Sequence, residues 1–431
     1  MDEKIDGSGL ISGSGQDLMR GNRRGILHFS ADQLRAVAIT LYFSMPFIKW
    51  VIGFILPAFA GYSSILLSWI PIFILLFLQR GKMKVFDFVL LLAGVLLFFA
   101  LTYLVHPEYS YWYSREYFGV WDYVLRPDNG LYAYLFLRLL EDPKKILKCL
   151  RISAFLCFIY YAYTFYQAIS VGYWLTSWDG ELMKSSYSLE FGYNLLLYAL
   201  VFLYCALKEK KFLDWLMVGL CLFMILGGGS RGPLLDVLIF LVLFLLVELK
   251  NGRAKYLILS LVAVLGFTFY FLYAPILAFL SGALENVGIS SRSIQMLLAG
   301  NISNDNGRII IWRRAIQMIQ ENPFGYGAMG SRHVIYEIIH VGHPHNLFLE
   351  ILIDYGVFVG GGLIIAGIVS AIRILTMKHI GEWRGLFLIF LGASSQLLLS
   401  GTYWHRAWIW ALLSIGISIR YLRKRESVQN G

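Results

Sequence analysis

Apolar residues run through this chain in blocks of about twenty, separated by short polar or basic connections. A helix of that length crosses a hydrocarbon core of roughly 30 Å. The pattern predicts twelve spans, at 36–57, 62–79, 86–105, 129–141, 152–171, 189–207, 212–228, 232–249, 256–277, 357–376, 386–400 and 407–421, with boundaries good to a few residues. The fourth is short for a crossing. A polar stretch, 278–356, separates spans nine and ten. Within it, apolar residues recur at helical spacing from Arg308 to Gln320, which predicts an amphipathic helix on the outer leaflet, ended by "NPFGYG". A second helix is expected from "LFLEILIDYG", running to about Tyr355 before span ten.

Composition narrows the class further. The chain has 431 residues, of which 58% are hydrophobic and only 15% charged, against about a quarter charged in soluble domains. This predicts an all-α integral membrane protein of about twelve transmembrane helices, with a large, partly helical outer loop before span ten. The expected order is a polar tail (1–35), spans one to nine (36–277), the loop (278–356), spans ten to twelve (357–421) and a basic tail (422–431). No cleavable signal peptide is read at the start, and the Gly/Ser-rich 1–24 is given no function. The net charge of +10 could suggest a nucleic-acid partner, but its distribution excludes that reading. "RGNRR", "RGKMK", "EDPKKILKCLR", "KEKKF", "KNGRAK", "RILTMKHIGEWR" and "RYLRKR" all fall in alternate connections. Basic connections stay in the cytoplasm, so both termini are expected there and the loop outside. Cys149, Cys157, Cys205 and Cys221 share no metal-ligand spacing and read as small buried hydrophobes.

Three outer stretches carry candidate chemistry. In "GGGSRGP" (227–233), Arg231 is the only charge in a tight hairpin at bilayer depth, where charges are costly and mark sites. Its guanidinium suits a phosphate, although a turn-capping arginine reaching for the interface would look the same. Arg308 opens the amphipathic helix against the dipole preference for acids, which suggests a task other than capping. The third stretch, "HVGHPHNLFLE" (340–350), holds three histidines in six positions. A zinc site is one reading of that spacing, but no cysteine is near and Glu337 and Glu350 only flank the helix ends. The other reading makes His345 a general base, its ring kept neutral by a helix N-terminus. His343, Arg292, Arg314, Arg332, Tyr403, His405 and Arg406 form a second tier, the last three from "GTYWHR" (401–406). Trp and Tyr in the outer connections read either as interfacial belts or as platforms for sugar rings. Arginines for a phosphate and a neutral imidazole suit group transfer from a lipid-linked diphosphate to a hydroxyl.

The ordered set of "SRG", "NGR…W", "NPFGYG" and "HPHNLFLEILIDYG" among a dozen spans resembles the O-antigen ligase and polymerase superfamily. The resemblance runs from about 36 to 421 and is most specific over 227–356. It implies a helical membrane bundle that acts on undecaprenyl-diphosphate-linked glycans at the outer face of the bacterial inner membrane, without cofactor, metal or nucleotide sugar. It also implies that Arg231 and Arg308 engage the diphosphate, that His345 activates the acceptor hydroxyl, and that His343 is the less critical histidine. The wording of the last motif is closer to repeat-unit polymerases of O-antigen, capsule or exopolysaccharide than to ligases that load lipid A-core. The implied partners are the lipid-linked oligosaccharide, membrane lipid and a chain-length regulator protein. A flippase without chemistry is the rival class; it should carry ionisable groups near the membrane midplane, whereas here they sit at span edges.

Overall fold

The computed structural model describes residues 30–59, 67–70, 72, 84–248 except 117, 129, 179, 180 and 186, scattered positions from 256 to 298, and 307–429 except 340, 341 and 379. Most of expected spans two and nine lies outside the described residues, as do Arg292 and His340. The described helices are α1 (Ala31–Phe43), α2 (Met45–Ile55), α3 (Lys84–Val105), α4 (Tyr132–Leu137), α5 (Pro143–Val171), α6 (Leu189–Glu209), α7 (Phe212–Gly227), α8 (Gly232–Glu248), α9 (Arg308–Glu321), α10 (Arg332–Ile339), α11 (Leu347–Thr376), α12 (Glu382–Ser394) and α13 (Ala407–Gln429), beside short helical turns. An antiparallel hairpin, β1 (Trp174–Trp178) with β2 (Glu181–Ser185), occupies the connection between α5 and α6.

Four described helices are long and apolar enough to cross a bilayer, or five if α1 and α2 form one bent span, so twelve continuous spans are not found among the described residues. The predominantly helical membrane bundle stands. Two differences have clear physical reasons. The first span is not one helix: α1 and α2 meet at 77° around Ser44. Pro46, in the first turn of α2, has no N–H for the Tyr42 carbonyl, and its ring would collide with that oxygen in a continuous helix. The fourth expected span shrinks to the six residues of α4, about 9 Å of helix. The segment around α4 nonetheless follows the start of α13: the Ser414 hydroxyl donates to the Tyr134 carbonyl (3.0 Å) and Arg138 to Ser418 Oγ (2.9 Å).

The centre of the bundle is α6. Over its most apolar window 83% of residues are buried, against 11% for α11, so α6 is the core helix and α11 presents its sides to lipid. Helices α5, α7, α8 and α12 pack around α6. In lipid this packing rests on close fit and polar pairs, because the hydrocarbon outside is as apolar as the helix faces. The ion pairs gather at the ends of spans. Arg138–Asp87 (2.7 Å) and Arg151–Asp214 (2.7 Å) tie together the side carrying the basic connections. Lys49–Asp128 (2.7 Å) sits at the other end.

Candidate functional site

The site is built where two distant motifs interlock. Gly356 breaks α11 with φ 75° and ψ 172°, after the stretch "LFLEILIDY". The chain 322–327 fills that break: the Val357 N–H donates to the Pro323 carbonyl (2.7 Å), Tyr326 N–H to Ile353 O (2.7 Å) and Gly327 N–H to Asp354 O (3.0 Å). Gly325 (φ +95°) and Gly356 face each other so closely that a Cβ on Gly325 would lie 2.5 Å from the Gly356 nitrogen. Only glycine meets both the positive φ and the close approach. The interlock seats α9 against the first part of α11. Ile311, Ala315 and Met318, spaced at i, i+4 and i+7, bury one face of α9 with Ile335 and Ile353.

That seating positions the candidate residues. Gly307, at φ 80°, turns the chain into α9 and leaves Arg308 as its first residue, with no side-chain cap. One turn on, Trp312 Nε1–H donates to the Pro344 carbonyl at 3.0 Å, pinning α9 to the histidine segment. Asn346 caps α11 by accepting from the Phe348 and Leu349 N–H groups, both at 3.1 Å. His345, just before it, is held in the left-handed region at φ 53°, which is costly for a residue with a Cβ. Burial first, and the Arg308 guanidinium second, pull the His345 pKa down to about 4, so the ring is neutral at physiological pH. The His343 ring lies edge-on to it at 4.4 Å. Burial, and then His345, Arg332 and Arg406, push the His343 pKa well below its usual value.

The outer turn 401–406 closes the site. Gly401 N–H donates to His345 Nδ1 at 3.2 Å, and Arg406 Nη1 donates to Asn194 Oδ1 at 2.8 Å. Tyr193, next to Asn194 on α6, lies within the electrostatic reach of Arg308, Arg406 and Asp236. The hairpin of Arg231 meets the same place, since a Cβ on Gly232 would fall 1.9 Å from the Tyr193 hydroxyl. Arg308, His343, His345 and Arg406 are thus brought together, with the Arg231 hairpin packed against Tyr193. An open cavity of about 550 Å³ adjoins through Asn194, lined also by Tyr42, Lys49, Trp50, Asp128 and Trp408.

Other second-tier residues take different places. Arg314 pairs with Glu321 at 2.8 Å and is not among the groups around His345. Arg332 is buried, donates to the Phe118 carbonyl and stacks over the Tyr123 ring at 4.6 Å. Tyr403 is buried and spends its hydroxyl on Asp354 (2.6 Å). His405 packs on Tyr123 at 5.0 Å, its pKa drawn down to about 3 by burial and then by Arg406. Among the described residues no group of three or more His, Cys, Asp and Glu is assembled to hold a metal.

Sequence reasoning missed how the turn is held. Glu350 accepts from the Thr402 hydroxyl and from Tyr403 N–H (3.3 Å), and Asp354 accepts from Tyr403 Oη and from Trp404 Nε1 (3.0 Å). The signal was in "EILID": two carboxylates four apart share one face of an otherwise apolar helix, where unpaired acids are too costly to bury.

Arg308, Arg406 and the buried rings of His343 and His345 thus converge at one end of a helical membrane bundle. Residues 216–365, less than half of the chain, match the family model described as O-antigen ligase, which supports the resemblance to the O-antigen ligase and polymerase superfamily. The matched stretch contains Arg231, Arg308, His345, Glu350 and Asp354 and ends before the 401–406 turn. The match supports a membrane glycosyltransferase-like enzyme with lipid-linked saccharide substrates in a bacterial inner membrane. No curated protein matches the chain.

Proposed function

We propose that the protein is a polysaccharide polymerase. It transfers a glycan from an undecaprenyl-diphosphate carrier to a sugar hydroxyl of another lipid-linked repeat unit, at the outer face of the membrane. Arg231 and Arg308 hold the diphosphate through charge-assisted hydrogen bonds, and His345 stands beside the reacting oxygens. The observation that carries this reading is the convergence of Arg308, Arg406 and a neutral His345 at one end of the bundle. Cations there match a diphosphate and the negative charge that grows as it departs. The aromatic lining of the neighbouring cavity suits the C–H faces of sugar rings, and its Lys49, Asp128 and Asn194 suit their hydroxyls. A single displacement inverts the anomeric carbon, whereas retention by double displacement would need a second carboxylate as nucleophile.

Ligation of finished polymer to lipid A-core uses the same donor chemistry and is the second reading, favoured by the description of the matching family. The surface saccharide of a deletion strain separates the two. A polymerase loss leaves single-repeat products, and a ligase loss leaves bare core while lipid-linked polymer accumulates. An unchanged length distribution would reject both.

A further inference from the structure

The hydrogen bond between Gly401 and His345 fixes more than the orientation of the ring. A backbone N–H only donates, so Nδ1 must offer its lone pair at 3.2 Å. A neutral imidazole has one proton, and it therefore sits on Nε2. A ring in that tautomer donates from Nε2 and has no lone pair there to take a proton. The general-base role expected for His345 needs the opposite tautomer. None of the described residues hydrogen-bonds Nε2, and Arg308 is the charged group that His345 feels most. An N–H donor under the influence of a guanidinium suits an anion.

The donor of that bond is itself held in place. Glu350 and Asp354, both buried, take hydrogen bonds from Thr402, Tyr403 and Trp404, the three residues after Gly401. Losing these carboxylates would free the turn, and with it the proton position on His345.

We propose that His345 is a hydrogen-bond donor, its Nε2–H bound to an anionic oxygen of the lipid-linked diphosphate, and that Glu350 and Asp354 are positioning residues that fix this tautomer through Gly401. The inference rests on the diphosphate reading of the site. In the transfer step the acceptor oxygen uses a lone pair to bond the anomeric carbon, and the bond from that carbon to the diphosphate oxygen breaks with its electrons. The hydroxyl proton is lost to water on the acceptor side of the anomeric carbon, since an inverting displacement leaves the departing diphosphate on the opposite face. His345 and Arg308 stabilise the charge that collects on that leaving group.

The test uses the full-length protein in lipid nanodiscs, with undecaprenyl diphosphate for binding and an undecaprenyl-diphosphate-linked repeat unit for transfer. A glutamine amide can replace the Nε2–H donor but cannot act as a base. His345→Gln is expected to keep transfer within about tenfold of wild type, while His345→Ala loses about 10²–10³-fold, the usual cost of one transition-state donor. Equal loss in both variants overturns the donor role. Glu350→Ala should lower transfer in the wild-type background and change it little once His345 is alanine, because the two act as one unit; additive losses would make Glu350 merely structural. If the wild-type protein neither binds undecaprenyl diphosphate nor elongates the repeat unit, the function reading itself fails, a result distinct from either of these.

Discussion

At the scale of single residues, the arginines carry the sharpest expectations. A guanidinium grips two phosphate oxygens in a plane, and an ammonium cannot. Arg308→Lys and Arg231→Lys should each lower transfer by about 10²-fold or more in an assay of purified protein, and wild-type rates from either variant would remove it from the diphosphate site. The histidines predict a pH effect on stability. His345 titrates near 4 in the folded protein and near 6.5 when unfolded, so between those values the unfolded chain binds the extra proton. No penalty falls on the native state above about pH 6.5, and the penalty grows as pH drops toward 4. Thermal unfolding should therefore start at lower temperature at pH 5 than at pH 7, and His345→Gln should shrink that difference; an unchanged difference would contradict the burial of the ring. Arg308 was legible in the sequence because a cation at a helix start is out of place. Asp354 was legible as one of two acids on a helix face, but its partners Tyr403 and Trp404, some fifty positions away, come beside it only through the fold.

At the scale of elements, the interlock of 322–327 with the break in α11 explains why two motifs thirty residues apart belong together. Gly356→Ala would set a Cβ 2.4 Å from the Phe324 carbonyl carbon at a φ of 75°. It should cost about 1–3 kcal/mol in backbone strain, with the clash in addition, and should lower both thermal stability and transfer. An unaltered midpoint of unfolding would refute the interlock. Helix α9 was legible because Ile311, Ala315 and Met318 repeat at the helical period over a long enough window. The bend at Ser44 was not: a hydropathy window averages over Pro46 and reports apolar length without backbone direction. Segment 129–141 misled for the same reason, since it is apolar and buried but helical for only six residues. The hairpin β1–β2 arises in a stretch where Gly172 ends α5 at φ 76°, and its five-residue strands are shorter than any periodicity that separates strand from loop.

At the scale of the whole molecule, the distribution of charge supports a sided bundle. Arg138, Arg151 and their acidic partners tie up one end, and the site with Lys49–Asp128 lies at the other. The four native cysteines are buried, which leaves a quiet background for labelling. An impermeant thiol reagent on intact cells should modify Asn301→Cys and spare Lys210→Cys, and the reverse pattern would invert the assignment of sides. The central claim is a chemical one, that this bundle makes a glycosidic bond at the expense of a lipid diphosphate. It is tested most directly by giving the purified protein, in nanodiscs, a defined undecaprenyl-diphosphate-linked repeat unit without nucleotide sugar, and measuring lipid-linked glycan length and free undecaprenyl diphosphate together. The account predicts longer lipid-linked glycans and one undecaprenyl diphosphate released per new linkage, with both lost in Arg308→Ala. Recovery of the repeat unit unchanged in length, with no diphosphate released by the wild-type protein, would contradict it.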